Sequence, residues 1–453
     1  MLNKKINADE QFKKLTETKI SSLIPRLAVP TVISMMVAMI YNAADTYFVS
    51  KINIPASGAT GIVFTLMGII QACGFTFGHG AGSIIARHLG AKDFSAAKKY
   101  CSTAFFDALI IGILIAVSGL SFIRPFMKFI GSTDTILPYA VDYGKFILIA
   151  APAFTTSCVM NNILRYEGMA SLAMVGLTTG GILNMVIDPI FIFGLKLGIS
   201  GAGLATAISQ YISMAILLFM FLSGKSQSKI SVRYFTPNPK VFWQIVSTGL
   251  PSFARQSLNS ISTMLLNKTA APFGDECIAA MSIVAKCSMA IFSVGVGIGQ
   301  GFQPVCSFNY GAKKYRRVRQ SILFTLKFNT VVCGIISAIM FVFAPVIIGF
   351  FRKEEFIVQV GADALRYVCI AMVFLPTVMV ANMCFQSIGK TGRAFFLACS
   401  QNGLLYIPLI LILSTVIGLK GIELAQPCAY VLAACVSAPF LFTFSHSLKN
   451  KEE

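Results

Sequence analysis

The sequence predicts an all-α membrane protein, with twelve transmembrane helices in two parallel-repeat six-helix lobes around a central cleft. Three observations predict it. Only 12% of the 453 residues are charged while 56% are hydrophobic. A soluble domain is nearer a quarter charged, so this chain cannot coat a water-facing surface of its size. Its apolar stretches have spanning length, and it is written twice at a fixed offset.

The spans come in order. The first is 27–49, interrupted by Asn42 and Asp45. The next five run over 60–84, 101–123, 146–164, 172–194 and 202–222. The second set covers 244–268, 277–305, 321–350, 367–388, 394–417 and 421–445. A helix needs about 20 residues to cross the hydrocarbon core. These runs lack the period-2 alternation of an outer-membrane barrel, which excludes that class. The first 26 residues are polar and the first apolar run exceeds a signal-peptide core, so no cleavable signal is expected.

The repeat sets the architecture. Pro30 matches Pro251, and Gly78 and Gly80 match Gly299 and Gly301. Gly90-Ala91-Lys92 matches Gly311-Ala312-Lys313, and Gly168 matches Gly389, all 221 residues apart. Six spans per half is an even number, so both halves share one orientation, related by an axis along the membrane normal. The expected division is an amino lobe over 1–222, a polar cytoplasmic linker over 223–240 and a carboxyl lobe over 241–453. Substrates of such folds bind near the bilayer midplane.

Charge then sets orientation. Of the 37 Lys and Arg, 24 fall in the two tails and alternate connections and 10 in the remaining connections, counting Lys268 at the end of the seventh span. By the positive-inside rule both termini are cytoplasmic, in a multi-pass protein of the cell (inner) membrane. The net charge of +19 is thereby explained without a nucleic-acid partner. The basic run from Lys313 to Arg319 faces anionic lipid of the inner leaflet. Twelve cysteines sit in or beside apolar segments with no metal-ligand spacing and read as packing residues.

Polar groups inside the spans are the candidate functional residues, because a carboxylate at a helix centre costs about 2.5–3.5 kcal/mol on insertion scales. Asp188 and Asn184 are four apart and share a helix face. Pro189 cannot donate an N–H and bends the helix, freeing a carbonyl one turn back. An amide, a carboxylate and a spare carbonyl on one face can hold a proton or a small cation. Asp45 follows Tyr41 and Asn42 in the first span, Asn161 and Asn162 lie in the fourth, and Thr206 opens the sixth. The plain alternative for each is interhelical hydrogen bonding. Asp107, nearer the cytoplasmic end, reads as structural.

Together these stretches resemble the multidrug and toxic compound extrusion (MATE) family, across all twelve spans. The resemblance is carried by Tyr41-Asn-Ala-Ala-Asp45 and Gly80-Ala-Gly-Ser-Ile-Ile-Ala-Arg87 in the first half. Leu183-Asn184-Met-Val-Ile-Asp188-Pro189, Gly201-Ala-Gly-Leu-Ala-Thr206 and Gly299-Gln-Gly-Phe-Gln303-Pro304 carry it further. It implies an antiporter, coupled to H⁺ or Na⁺, that exports small organic and often cationic compounds by alternating access. No cofactor is implied, and no metal beyond a sodium ion at the coupling site. A monomer in the lipid bilayer is expected. The chain is closer to the prokaryotic DinF-like branch, whose coupling positions match Asp45, Asn161, Asn184, Asp188 and Thr206.

One departure concerns the second half. The NorM-like branch carries an acid near the position of Asn259, whereas this chain offers Arg255 and Lys286 in the seventh and eighth spans. Either these pair with acids elsewhere, or they face the cleft and meet an anionic group. Tyr41, Asn42, Arg255, Asn259 and Lys286 are the expected cleft-lining set. A lipid-linked saccharide flippase of the same superfamily is the alternative function, and only Arg255 and Lys286 point to it. Enzyme readings fail on the residues. Gly389-Lys390-Thr391 lacks the first glycine of a phosphate loop, since Cys384 stands there. His79, His88 and His446 are the only histidines, with no nucleophile elbow to serve.

Overall fold

The computed structural model describes residues 8–449, which are helical almost throughout. A short helix α1 (Ala8–Glu17) precedes α2 (Ile20–Ser50), α3 (Ile54–Gly90), α4 (Phe94–Ser121), α5 (Ile123–Phe129), α6 (Leu137–Tyr166), α7 (Ala170–Pro189) and α8 (Ile199–Leu222). The second half holds α9 (Pro239–Ala270), α10 (Asp275–Gly311), α11 (Tyr315–Val342), α12 (Ala344–Phe351), α13 (Glu355–Met372) and α14 (Leu375–Ser387). It ends with α15 (Thr391–Cys399), α16 (Tyr406–Ile417) and α17 (Leu419–Lys449). Single π-helical turns extend α7 (Ile190–Gly194) and join α15 to α16 (Ser400–Leu405).

Among the described residues, ten helices are long and apolar enough to cross a membrane, and the bent pair α13–α14 makes an eleventh. The fold is therefore a multi-span all-α membrane fold. Helix α9, where the seventh span is expected, is 32 residues long but is not among these candidates. Polar residues from Gln244 to Asn259 dilute its hydropathy. The expected ninth and tenth spans are interrupted. The ninth breaks at Phe343, ahead of Pro345, and the tenth bends by 49° at Val373–Phe374, ahead of Pro376. Proline at the first turn of a new helix needs no N–H, so it starts α12 and α14 where it would break a continuing helix. The π-turn after Pro189 has the same origin, since the lost N–H shifts the hydrogen-bond register.

The repeat is visible in the backbone. Lys92 and Lys313, 221 apart, both adopt the left-handed conformation, at φ 60° and 58°. Gly168 and Gly389 do so at φ 78° and 80°, each in the turn after a buried helix. A non-glycine residue there is uncommon, so its occurrence at equivalent places marks one turn used twice. The amide of Asn161 donates to the Ala173 carbonyl at 2.8 Å, and its equivalent Asn382 donates to Ala394 at 2.7 Å.

Two compact units result. One comprises residues 8–17 and 33–253, the other residues 18–32 and 254–449. These limits differ from the expected lobes, because α2 and α9 are each divided, at the equivalent positions 32/33 and 253/254. In the first unit the start of α9 crosses α3 at backbone contact. A Cβ on Gly249 would overlap the Thr76 carbonyl, and one on Gly80 would overlap that of Ile245. The start of α2 crosses α10 in the same way in the second unit, with Gly297 and Gly301 against Val32 and Ala28. Small residues let membrane helices approach and gain packing that lipid cannot supply.

Helix α6 is the core of the first unit, packed against α3, α4 and α8. Its last residues meet the water-side segments. Helix α1 lies in what the sequence alone reads as a polar tail, yet Leu15 and Gln11 pack on Gly168, and Gln11 donates to the Glu167 carbonyl at 2.7 Å. The Glu167 carboxylate accepts from Ser226 and from the backbone N–H groups of Gln227 and Ser228 at 2.9 Å. Burial pushes its carboxyl up from the ordinary value, and those donors pull against it. It thereby fixes the start of the connection into the second half.

Candidate functional site

The acids predicted from the sequence come together in the first unit. Asp45 lies on the second half of α2, Asn184 and Asp188 on the last turns of α7, and Thr206 early in α8. All four are buried, Asp45 at 2% exposure and Asp188 at 0%. The α7 spacing does what the sequence predicts. The Asn184 amide donates to Asp188 Oδ1 at 3.1 Å, and it reaches Thr206 Oγ1 across to α8 at 3.2 Å. Asp45 and Asp188 are close enough for their charges to interact.

Tyr143 of α6 completes the cluster. Its hydroxyl donates to Asp45 Oδ2 at 2.8 Å, and it neighbours Asp188 and Thr206. The ring itself sits in an apolar cluster with Val49, Ile192, Ile199 and Ala202. Sequence reasoning missed it, because the expected fourth span begins at 146, whereas α6 begins at Leu137. Asp142 and Lys145 on either side hide the apolar face. The signal present was that Tyr143, Ile147 and Ala151 recur every four residues, one stripe of a helix.

Tyr41 and Asn42 belong to the same neighbourhood. The Tyr41 hydroxyl lies near Asn42 and Asp45, and its ring lies against Gly181 of α7. Asn161 is placed differently. Its amide is engaged by Ala173, as that of Asn382 is by Ala394, so it ties α6 to α7 in a contact that both halves share.

Three buried oxygens of the cluster accept no hydrogen bond: Asp45 Oδ1, Asn184 Oδ1 and Asp188 Oδ2. Among the described residues neither acid forms an ion pair. Buried acceptors are normally satisfied, and a buried charge without a partner is neutralised in practice. The cluster is thus rich in oxygen acceptors and lacks positive charge. A proton or a small monovalent cation would correct both at once. Carboxylate, amide and hydroxyl oxygens suit either. Among the described residues no group of three His, Cys, Asp or Glu could hold a metal ion.

Arg255, Asn259 and Lys286 gather elsewhere. They line a cavity of about 380 Å³ inside the second unit, with Tyr406, Tyr430 and Phe292. The Arg255 guanidinium donates to Asn382 Oδ1 at 3.0 Å.

Comparison with known proteins gives a consistent picture. The profile of the MatE family matches residues 30–190 and 251–412, one match per half and 221 residues apart. The multidrug export protein MepA of Staphylococcus haemolyticus is 24% identical over 444 residues, covering 98% of this chain and 97% of its own. MepA of Staphylococcus aureus strain MRSA252 is 24% identical over 417 residues, 91% and 92% of the two chains. The outward-facing structure of a multidrug resistance MATE family transporter of the MOP superfamily superposes with TM-score 0.92 at 26% identity, covering 99% and 100%. A MOP superfamily transporter from Pyrococcus furiosus, described by the reverse polarity of its binding pocket, superposes with TM-score 0.91 at 26% identity, again over 99% and 100%.

Proposed function

The chain belongs to the MatE family, and from that membership we propose that it is a DinF-like antiporter. It exports small organic compounds, many of them cationic, in exchange for H⁺ or Na⁺. It is a transporter and not an enzyme. The similarity to MepA supports export of drug-like compounds. The observation that carries the proposal is the pair of buried, interacting acids with unsatisfied oxygens and, among the described residues, no basic partner. A transporter coupled to a cation gradient needs such a place, and a passive scaffold does not.

In the proposed cycle the protein opens outwards and the acids take up the external ion. Tyr143 and Asn184 hold the two carboxylates in position for it, and Thr206 supplies a further oxygen. Neutralising the acids removes the penalty for closing helices around bare charge. The ion favours one arrangement of α2, α7 and α8 and weakens the hold on substrate. Such a shift can be no larger than the ion's difference in affinity between the two states. Release inward restores the charge. Asn161 acts as a strut of the same bundle. Twelve spans in two six-helix lobes, 1–222 and 241–453, joined by the linker 223–240, complete the proposal. The two lobes flank a central cleft, both termini are cytoplasmic, and the chain acts as a monomer in the cell membrane.

The test is efflux of a fluorescent cation from vesicles carrying the purified chain, under an imposed proton gradient or an imposed sodium gradient. One of the two gradients is expected to drive transport against the dye's own gradient. Dye movement that only ever runs downhill would mean a channel. The flippase reading keeps one supporting observation, the pair of bases in the second-unit cavity. Ion-independent movement of a lipid-linked sugar would favour it.

A further inference from the structure

The two halves share a frame but place different ionisable groups within their helices. The equivalents of Asp45 and Asp188 in the second half are Leu266 and Leu409, and those of Arg255 and Lys286 in the first half are Ser34 and Thr65. The acid pair of the first half and the base pair of the second thus stand at positions that do not correspond. The bases share a cavity that lies wholly within the second unit.

We propose that this cavity is a binding subsite for compounds that join a carboxylate to a flat aromatic body, zwitterions included. It rests on the export function proposed above and names a substrate class for it. Arg255 and Lys286 both line the cavity, and among the described residues no Asp or Glu does. Lys286 makes no hydrogen bond and no ion pair among the described residues. Its side chain is exposed within the cavity lining, so its ammonium is open to a ligand that enters. Arg255 is oriented by Asn382, itself tied to the Ala394 carbonyl, so the guanidinium is held in place ahead of ligand. A preformed donor loses less entropy on binding.

The rest of the lining suits an aromatic body. Phe292, Tyr406 and Tyr430 give flat surfaces, and Tyr430 is held by the Gln426 amide at 2.8 Å. The wall is braced where Ser262 of α9 donates to the Asn402 carbonyl in the π-turn at 3.0 Å. Such turns recur at functional sites. The volume of about 380 Å³ lies in the range of small-molecule pockets.

The experiment compares rhodamine B, which carries a free carboxylate, with its ethyl ester, which is a plain cation. Each is titrated by fluorescence anisotropy against the detergent-purified full chain with no ion gradient. Rhodamine B is expected to bind about tenfold or more tighter than the ester, the scale of one charge-assisted contact. Lys286→Gln is expected to weaken rhodamine B and strengthen the ester, reducing that preference about tenfold. Lys286→Arg should keep the preference, which also reports that the cavity is folded. Equal binding of the two dyes by the unmodified chain would overturn the proposal, as would a preference that Lys286→Gln leaves intact. Displacement of rhodamine B by phosphatidylglycerol in nanodiscs would assign the bases to a lipid headgroup and overturn it too. Because no gradient is applied, failure here is separate from failure of export. A chain that pumps the ester uphill without preferring the carboxylate keeps its transport function and loses only this subsite.

Discussion

Asp188→Asn is expected to abolish uphill efflux while the protein still reaches the membrane and purifies as a single species. The substitution keeps the shape of the side chain and its contact with Asn184, whose amide now donates to Asp188 Oδ1 at 3.1 Å. It removes the charge. Oδ2 of Asp188 is one of three buried oxygens of the cluster with no partner, and it belongs to the carboxylate directly before Pro189, the proline at the end of α7. A neutral amide there leaves Asp45 as the sole carboxyl of the cluster, and Asp45 already accepts from Tyr143. Uptake of the coupling ion then no longer changes which arrangement of helices is preferred. A ligand with equal affinity for two states shifts nothing. The expected loss is therefore to the background of empty vesicles. Wild-type efflux in this variant would remove Asp188 from the coupling site.

Gly249→Leu should prevent assembly of the protein, which size-exclusion chromatography of a fluorescent fusion will show as loss of the monodisperse peak. Here the backbones of α9 and α3 touch, with Gly249 against the Thr76 carbonyl and Gly80 against that of Ile245. A leucine has no flexible neighbour to displace. Overpacking a well-packed core costs about 1–3 kcal/mol where side chains can shift, and backbone against backbone should exceed that. The control is Gly61→Leu, since nothing lies within 4 Å of a Cβ at that position and the variant should behave as wild type. Equal behaviour of the two variants would show that the crossing tolerates separation.

The acid cluster was readable from the sequence because water-seeking groups stand out in apolar runs. Asp45, Asn184, Asp188 and Thr206 were all legible on that ground, and the i, i+4 spacing placed Asn184 beside Asp188 before any coordinates. Tyr143 was not, because charged neighbours made its helix look shorter than it is. Asn161 was legible as a buried amide but not in its partner, since only the fold reveals that it and Asn382 make one bond twice. Hydropathy also could not show the breaks at Phe343 and Val373–Phe374, because the broken residues are themselves apolar. Pro345 and Pro376 were the sole marks. The division of α2 and α9 between units follows from which helix each half touches, and composition does not encode that. Lys286 and Arg255 stood out in the sequence as a departure of the second half, and their common cavity became visible only when α9 and α10 were placed.

The most direct measurement is ion binding to the purified chain, followed with a pH-indicator dye in weakly buffered detergent solution as substrate or sodium is added. The unmodified protein is expected to release protons when either is supplied, saturably with its concentration. Either signal should vanish when Asp45 and Asp188 are both changed to Asn. A signal of undiminished size in that double variant would place the coupling ion outside the α2–α6–α7–α8 cluster and contradict the account.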